Sequence, residues 1–368
     1  MAHKRGPRAP GDLEVGIGDV FMSQPEAHIP PRDDRPQWLL TWEAKRPRWV
    51  MELIAEALGV FIYCWGGMGA ACAFYVQTVG KETGFGAIQS VAFGYGLSIA
   101  IALVVTGATS GSHVNPCYTI AFAIFKGFPW RKVPQYIAAQ ILGGTLAGLI
   151  VYLQYKQPLD LVADDLTAAG LHEMIFSTSG PATPIALFTA PGQKIGYVLV
   201  NEFMGGFLIA VAIFSILDPS NIFISIPIAP FLIGCTYFVT IIGFSSQSLS
   251  LNTARDLGGR FAAGIIWGRG AFPPMYSALA ALTNILATLC GAAFQILILS
   301  DSTRPIVNTP PGQGHFGGKG GAASKPKGRA ASPAATERGA DENGDGKTEH
   351  YENDDINVQT GQMSVVTR

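Results

Sequence analysis

The chain contains 368 residues, of which 48% are hydrophobic and only 14% are charged. Soluble domains carry about 25% charged residues, so a set of ordinary soluble domains is excluded. The 25 basic and 26 acidic side chains nearly cancel, and no excess of positive charge points to nucleic acid. Because the charged residues concentrate at the two ends of the chain, the middle has the composition of an integral membrane protein.

Residues 1–48 are polar and rich in proline, and we expect them to form a disordered cytoplasmic tail. This segment contains no apolar stretch typical of a cleavable signal peptide, so we expect the first spanning helix to direct insertion. The end of the segment is both basic and aromatic, which is typical of a chain that approaches a membrane surface. The residues concerned are Trp38, Trp42, Lys45, Arg46, Arg48 and Trp49.

Six apolar segments reach the length of about 20 residues that a helix needs to cross a bilayer. They are residues 50–77, 86–109, 133–154, 196–217, 223–244 and 275–299. Two further apolar stretches, residues 115–126 and 252–266, are too short to span. Such a stretch either lies on the membrane surface or re-enters the membrane as a half-helix, where irregular backbone requires burial by protein or a watery cavity. We favour two half-helices that meet near the middle of the membrane.

The two halves of the chain have the features of a repeat. The pattern Glu-x-x-Gly-x-Phe begins at Glu56 and again at Glu202, each near the start of a long apolar segment. Three spans in each half, an odd number, require the second copy to be inverted relative to the first. The repeats comprise about 50–154 and 196–299, joined by a loop at 155–195. We predict that each carboxylate accepts hydrogen bonds from the backbone that leads into a half-helix.

The distribution of basic residues predicts the orientation. Lys126, Arg131 and Lys132 lie between the second and third spans, whereas acidic residues predominate in loop 155–195. The positive-inside rule therefore places both termini in the cytoplasm and this loop outside. Residues 301–368 have little apolar content beyond alanine, and we predict that they form a disordered cytoplasmic tail.

An asparagine stands at the predicted N-cap of each half-helix. The motifs are Asn115-Pro116-Cys117 and Asn252-Thr253-Ala254. An asparagine side chain bonds the free N–H groups of a first helical turn, and proline at the first helical position sacrifices no hydrogen bond. Two helix N-termini that meet at the midplane concentrate positive potential there. With Arg255 beside them, the two amides are expected to donate to a neutral, oxygen-bearing solute, while cations and protons meet an electrostatic barrier.

The segments SGSHVNPCYTIAF and SLNTARDLGGRFAAG, on six spans with inverted halves, resemble the two signature loops of the aquaporin, or major intrinsic protein, family. The resemblance covers roughly residues 50–299 and is strongest to the aquaglyceroporin branch. It implies an all-α membrane protein with six transmembrane helices and two re-entrant half-helices in two inverted repeats. These elements form a channel domain at 49–300, which is followed by a tail at 301–368. The family usually reads Asn-Pro-Ala in both loops, so Cys117 and Thr253 are departures. The resemblance also implies a homotetramer with one pore per subunit, and the long tails are typical of a fungal or other eukaryotic member.

Four positions build the selectivity constriction of this family. By the resemblance they fall on Tyr95, on either Thr240 or Ile241, on Leu249 and on Arg255. A member restricted to water is expected to carry histidine at the second of these positions, and this chain does not. Asp256, directly after Arg255, also resembles the glycerol-conducting branch.

The leading hypothesis is therefore a passive channel, in the plasma membrane, that conducts water and glycerol and excludes ions and protons. A strict water channel, or a channel for other small neutral solutes such as ammonia or urea, stays open, as does a structural junction protein of the same fold. A secondary transporter would be expected to place carboxylates or hydroxyls at the helix breaks and to have more spans. An enzyme, a metal site and a cofactor are not expected, because no nucleophile–base set or ligand cluster assembles in the sequence. The five cysteines lie in apolar segments without metal-ligand spacing.

Overall fold

The structure is a computed structural model, which describes residues 35–81 and 86–304. These residues belong to one compact unit, Met1–Gly320. The predicted tails at 1–34 and 305–368 lie outside the described residues. In chain order, the helices of the described part are α1 Gln37–Lys45, α2 Arg48–Gly80, α3 Ile88–Ser110, α4 Pro116–Phe125, α5 Val133–Gln154, α6 Lys156–Ala168, α7 Ile195–Ile216, α8 Ala229–Phe244, α9 Thr253–Trp267 and α10 Pro274–Phe294.

Five helices of this part are long and apolar enough to cross a membrane, namely α2, α3, α5, α7 and α10. Short helical turns extend α5 at its start and α10 at its end. α8 has only 16 residues and is shorter than the predicted segment 223–244. Pro230 lies in its first turn, where the missing N–H costs nothing, so the helix starts at Ala229 rather than six residues earlier. A 3-10 turn precedes it at Ile226–Ile228 and another follows at Ser245–Gln247. With these turns α8 forms the sixth span.

The helix α1 departs from the predicted disorder of residues 1–48. Pro36 and Pro47 flank this nine-residue helix, and none of its own residues is proline. Trp38 and Trp42, one turn apart, are 71% and 53% exposed, so they lie on the face that is turned away from the rest of the protein. Because proline disrupts a helix at its own position and just before it, the prolines here bound a helix instead of preventing one. The prediction of disorder is wrong for these residues.

Loop 155–195 is partly helical, and we predicted no helix there. Leu159 and Ala163 of α6 are buried one turn apart, whereas Leu161 is 61% exposed. One face of α6 therefore packs onto the protein and the other does not. Lys156 and Asp160 form an ion pair on the first turn. The spacing of Leu159 and Ala163 is the helical signal that sequence analysis missed.

The two repeats interlock through their short helices. α4 belongs to the first repeat but packs against α10 of the second, and α9 of the second repeat packs against α5 of the first. α5 and α9 approach closely, since a Cβ added at Gly144 would lie 2.6 Å from the carbonyl oxygen of Ala254. Small residues allow helix backbones to approach in this way within membranes. Each half-helix is thus held by a long helix of the other repeat.

We expect Gly258→Ala to destabilise the protein. The new Cβ would lie 2.7 Å from the backbone of Gly144, so α5 and α9 must separate, and overpacking of this kind costs about 1–3 kcal/mol. The thermal unfolding midpoint of the purified protein in detergent should fall. Gly69→Ala on α2 is the matched control, because a Cβ there meets nothing within 4 Å and alanine favours a helix. An equal fall in both variants would contradict close packing as the cause.

Candidate functional site

Asn115 and Asn252 cap the two half-helices. The Asn115 Oδ1 atom accepts a hydrogen bond from the backbone N–H of Cys117 at 3.0 Å. The Asn252 Oδ1 atom accepts from the N–H groups of Ala254 and Arg255 at 2.9 and 3.2 Å. These bonds satisfy backbone donors that have no partner within the helix. The capping leaves the amide nitrogen of each asparagine free for another role.

Each asparagine also reaches across to the loop of the other repeat. Asn115 Nδ2 donates to the carbonyl oxygen of Leu251 at 3.0 Å, and Asn252 Nδ2 donates to that of Val114 at 2.8 Å. An amide nitrogen carries two hydrogens, so Asn252 keeps one for a passing oxygen atom, while the Asn115 side chain is also hydrogen-bonded to the Tyr237 hydroxyl. The two half-helices therefore meet at their N-termini, and each loop fixes the orientation of the opposite asparagine.

The residues before the asparagines have unusual backbone conformations. Val114 and Leu251 adopt φ values of 53° and 58°, in the left-handed region that a β-branched residue such as valine rarely enters. Backbone in this region is costly and persists only where the surroundings enforce it. It directs the two carbonyl groups toward the opposite asparagines.

A buried carboxylate enforces each loop. Glu56, which has no exposed surface, accepts hydrogen bonds from the N–H groups of His113 and Val114 at 2.9 and 2.8 Å. Glu202, equally buried, accepts from the N–H groups of Ser250 and Leu251 at 2.7 and 3.4 Å. The two sets occupy matching positions, two and one residues before each asparagine. Each carboxylate thus accepts hydrogen bonds from the backbone that leads into a half-helix.

The glycine of the Glu-x-x-Gly-x-Phe pattern has a packing role. A Cβ at Gly59 would lie 2.9 Å from the Val114 side chain, and one at Gly205 would lie 2.9 Å from that of Leu251. Each glycine lies one helical turn after its glutamate, and because it has no side chain it leaves room for the strained residue of the loop. The repeated sequence pattern thus corresponds to the same packing contact in both halves.

The two motif departures lie against each other. Cys117 has no exposed surface, and its Sγ atom is 3.2 Å from Thr253 Oγ1. The Thr253 hydroxyl also donates to the carbonyl oxygen of Ala281 at 3.2 Å, while Pro116 occupies the first turn of α4 and Ala254 is fully buried. Cys117 therefore packs between the half-helices rather than narrowing the pore.

A cavity of about 660 Å³, which we call the large cavity, is lined by Tyr95, Ile241, Leu249 and Arg255 among others. Arg255 is 3% exposed, and its Nε and Nη2 atoms donate to the Tyr95 hydroxyl at 3.0 and 2.7 Å. Its Nη1 atom is buried and has no hydrogen-bond partner among the described residues. A permanently charged donor is thus held beside the cavity with one N–H group to spare.

Of the two candidates on α8, Ile241 lines the large cavity. Thr240 lies instead on a groove between α7 and α8, with its Cγ2 atom 3.2 Å from where a Cβ on Gly205 would be. Its hydroxyl donates to the carbonyl oxygen of Thr236 at 2.8 Å. The structure therefore brings Ile241, not Thr240, together with Tyr95, Leu249 and Arg255.

Asp256 is directed away from the cavities and pairs with Arg260. Both side chains are fully buried, and Arg260 Nη2 and Nε lie 3.0 and 3.1 Å from the two carboxylate oxygens. Arg260 also donates to the carbonyl oxygen of Ala271 at 3.0 Å. Asp256 thus stabilises α9 through this pair.

A second cavity of about 20 Å³, which we call the small cavity, is lined by Asn115, Tyr118 and Tyr237 with neighbouring apolar residues. Sequence analysis missed these tyrosines and Tyr63, which lines the large cavity. The available signal was Tyr118, which lies three residues after Asn115, one helical turn along α4. A residue there projects to the same side as the capping asparagine.

A family model described as Major intrinsic protein matches residues 43–304. The chain belongs to this family. Members of the major intrinsic protein family are channels rather than enzymes. The assignment makes the chain a multi-pass membrane channel.

Similar proteins come from fungi. The chain is 40% identical over 295 residues to "Aquaporin-3" of Laccaria bicolor, a match that covers 78% of this chain and 89% of that one. It is 35% identical to "Aquaglyceroporin-2" of Rhizophagus irregularis, over 57% of this chain and 63% of the relative. The resemblance noted in the sequence, including its fungal character, is confirmed.

The fold is that of a solved member. The aquaglyceroporin from Plasmodium falciparum aligns with a TM-score of 0.56 at 21% identity, covering 68% of this chain and 97% of that one. At this identity the likeness establishes the fold alone. Six transmembrane helices with two re-entrant half-helices, as predicted, are confirmed.

We expect Glu56→Gln to lower both stability and conduction. The amide replaces one acceptor oxygen by a donor, which leaves a buried N–H group of the loop without a partner at a cost of about 1–3 kcal/mol. The thermal unfolding midpoint in detergent and the water permeability of reconstituted vesicles should both decrease. Glu43→Gln on α1 is the matched control, because that carboxylate is partly exposed in its ion pair with Arg35 and such pairs contribute little. Equal effects of the two changes would refute the loop-holding role of Glu56.

Proposed function

We propose that the chain is a passive channel for water, glycerol and other small neutral solutes, and that it excludes ions and protons. The observation that carries this proposal is the set of donors left unpaired at the pore. The Nη1 atom of Arg255 has no partner among the described residues, and the Asn252 amide keeps one hydrogen beyond its cross-loop bond. Neutral oxygen-bearing solutes supply the acceptors for these donors.

Electrostatics supports the exclusion of cations. Two helix N-termini face each other at the asparagines, and each carries roughly half a positive elementary charge. Arg255 adds a full charge whose recorded partner is a neutral tyrosine hydroxyl. A cation that leaves water therefore meets an electrostatic barrier, because the surrounding protein has a low dielectric constant and a positive potential. A neutral molecule meets no such barrier.

The wall of the large cavity supports a polyol. Tyr95, Ile241 and Leu249 present carbon surface, which suits the carbon face of glycerol, and Arg255 supplies donors for its hydroxyls. A similar protein from Rhizophagus irregularis is named an aquaglyceroporin, which favours glycerol as a solute. A strict water channel remains the second candidate, because the small cavity has room of only about 20 Å³.

We further propose that the protein is a homotetramer. It lies in the plasma membrane, with both termini in the cytoplasm. A groove of about 1100 Å³ between α7 and α8 is lined mainly by apolar side chains, which suits a neighbouring subunit.

One membrane face carries basic residues, namely Arg48 at the start of α2 and Lys132, whose Nζ atom lies 2.7 Å from Glu52. Their basic character supports the cytoplasmic orientation.

Stopped-flow light scattering on reconstituted vesicles tests the proposed solutes. Under a glycerol gradient, vesicles that contain the protein should shrink and then reswell faster than empty vesicles, and under an impermeant osmolyte they should shrink faster. Fast shrinkage without faster reswelling would contradict glycerol conduction and leave a water channel. No acceleration in either experiment would contradict the channel proposal and favour a structural role.

We expect Arg255→Ala to weaken ion exclusion while water conduction persists. The substitution removes the fixed charge but keeps both capping asparagines, so proton leak measured with a pH-sensitive dye inside vesicles should rise. Arg269→Ala, an exposed arginine beyond the end of α9, is the control and should not change the leak. An unchanged leak in the Arg255 variant would assign the barrier to the half-helices alone.

A further inference from the structure

Three tyrosines near the capping asparagines have no role in the site described so far. Tyr63 lies on α2, Tyr118 on α4 and Tyr237 on α8, and they are only 1%, 4% and 2% exposed. Helices from both repeats contribute to the group. Its members are therefore brought together by the tertiary fold, although they are far apart in the sequence.

The tyrosines stand between the two cavities. Tyr63 lines the large cavity of about 660 Å³, whereas Tyr118 and Tyr237 line the small cavity of about 20 Å³. The rings of Tyr63 and Tyr237 meet edge to face with their centroids 5.7 Å apart. This ring contact joins the wall of the large cavity to the wall of the small cavity, which places the tyrosines at the boundary between them.

The tyrosines also give the barrier polar groups beside the asparagine cap. The Tyr237 hydroxyl is hydrogen-bonded to the Asn115 side chain, and Tyr118 lines the small cavity together with both of them. A phenolic hydroxyl both donates and accepts hydrogen bonds. The barrier is therefore bulky but polar, which suits a water molecule that exchanges one hydrogen bond for the next.

Size decides which solutes this barrier favours. A cavity needs roughly 10–15 Å³ of accessible volume to hold one water molecule. The small cavity, at about 20 Å³, has room for one water molecule and is too small for a three-carbon polyol. Glycerol must therefore displace the rings of Tyr118 and Tyr237, while water need not.

We propose that Tyr63, Tyr118 and Tyr237 form a second size filter beside Asn115, distinct from the constriction at Tyr95 and Arg255. This filter acts in series with that constriction and lowers the ratio of glycerol permeability to water permeability. Water passes it readily, while urea, glycerol and larger polyols pass more slowly as their size increases, because the ring displacement that they require adds to their barrier. The inference rests on the proposed channel function and specifies where its solutes are separated.

The test measures glycerol and water permeability of reconstituted full-length Tyr118→Val and Tyr237→Val proteins by stopped flow. Each change should raise the ratio of glycerol to water permeability about tenfold, the effect of lowering one barrier by about 1.4 kcal/mol. Tyr237→Phe keeps the ring volume and should raise the ratio much less. Phe231→Val is the matched control, because Phe231 is an aromatic residue of α8 that is 51% exposed, and its ratio should equal that of the unmodified protein.

A series of solutes of increasing size on the unmodified protein provides an independent test that needs no variant to fold. Permeability should fall steeply between urea and glycerol and again at erythritol. Unchanged ratios in the folded valine variants, or erythritol permeability close to that of urea, would overturn the filter while leaving the channel intact. Permeability no greater than that of empty vesicles for both water and glycerol, in every folded form, would overturn the channel function and the filter with it.

Discussion

Two reciprocal hydrogen bonds organise the molecule, from Asn115 to the carbonyl of Leu251 and from Asn252 to that of Val114. A half-helix that begins inside a membrane exposes free backbone N–H groups where no water replaces their partners. The caps satisfy part of this requirement, and the crossing bonds require the two loops to face each other. The left-handed backbone before each asparagine follows from that arrangement.

Buried charge holds this arrangement in place. Glu56 and Glu202 are fully buried, and such carboxylates are tolerated only when hydrogen bonds replace water. Their partners are the N–H groups of the strained loops. Each carboxylate therefore holds its loop in the strained conformation, and the loop supplies the hydrogen bonds that allow the carboxylate to be buried. Asp256 and Arg260 neutralise each other in the same interior. Arg255 differs because its recorded partner is the hydroxyl of Tyr95, which leaves its charge directed at the cavity.

The frame of the protein could be predicted from the sequence because its signals are local. Apolar length identifies the spans, and the two asparagine motifs identify the half-helices. The spacing of Glu56 and Gly59, repeated at Glu202 and Gly205, identifies the inverted copies. The short helix α1 was not predicted because the prolines around it indicate disorder. The helix α6 was not predicted because only two of its residues, Leu159 and Ala163, are buried.

The filling of the pore could not be predicted in the same way. Which of Thr240 and Ile241 faces the large cavity depends on the rotation of α8, and one residue changes the direction of a helical side chain by about 100°. The group of Tyr63, Tyr118 and Tyr237 depends on three helices meeting in space. A tyrosine in an apolar segment has the same local pattern whether it lies in the core or beside a pore.

The departures from the usual motif show how the two halves have become different without losing the frame. Thr253 stands where the first loop has Pro116, and its hydroxyl lies 3.2 Å from the Sγ atom of Cys117 in the first loop. The substitution in one loop thus meets the substitution in the other, at the contact between half-helices. Because the contact is buried, it adjusts the packing of the half-helices and leaves the pore wall to other residues. Solute choice then falls to positions that the repeat does not share, namely the Tyr95–Arg255 pair on one side and the tyrosines beside Asn115 on the other.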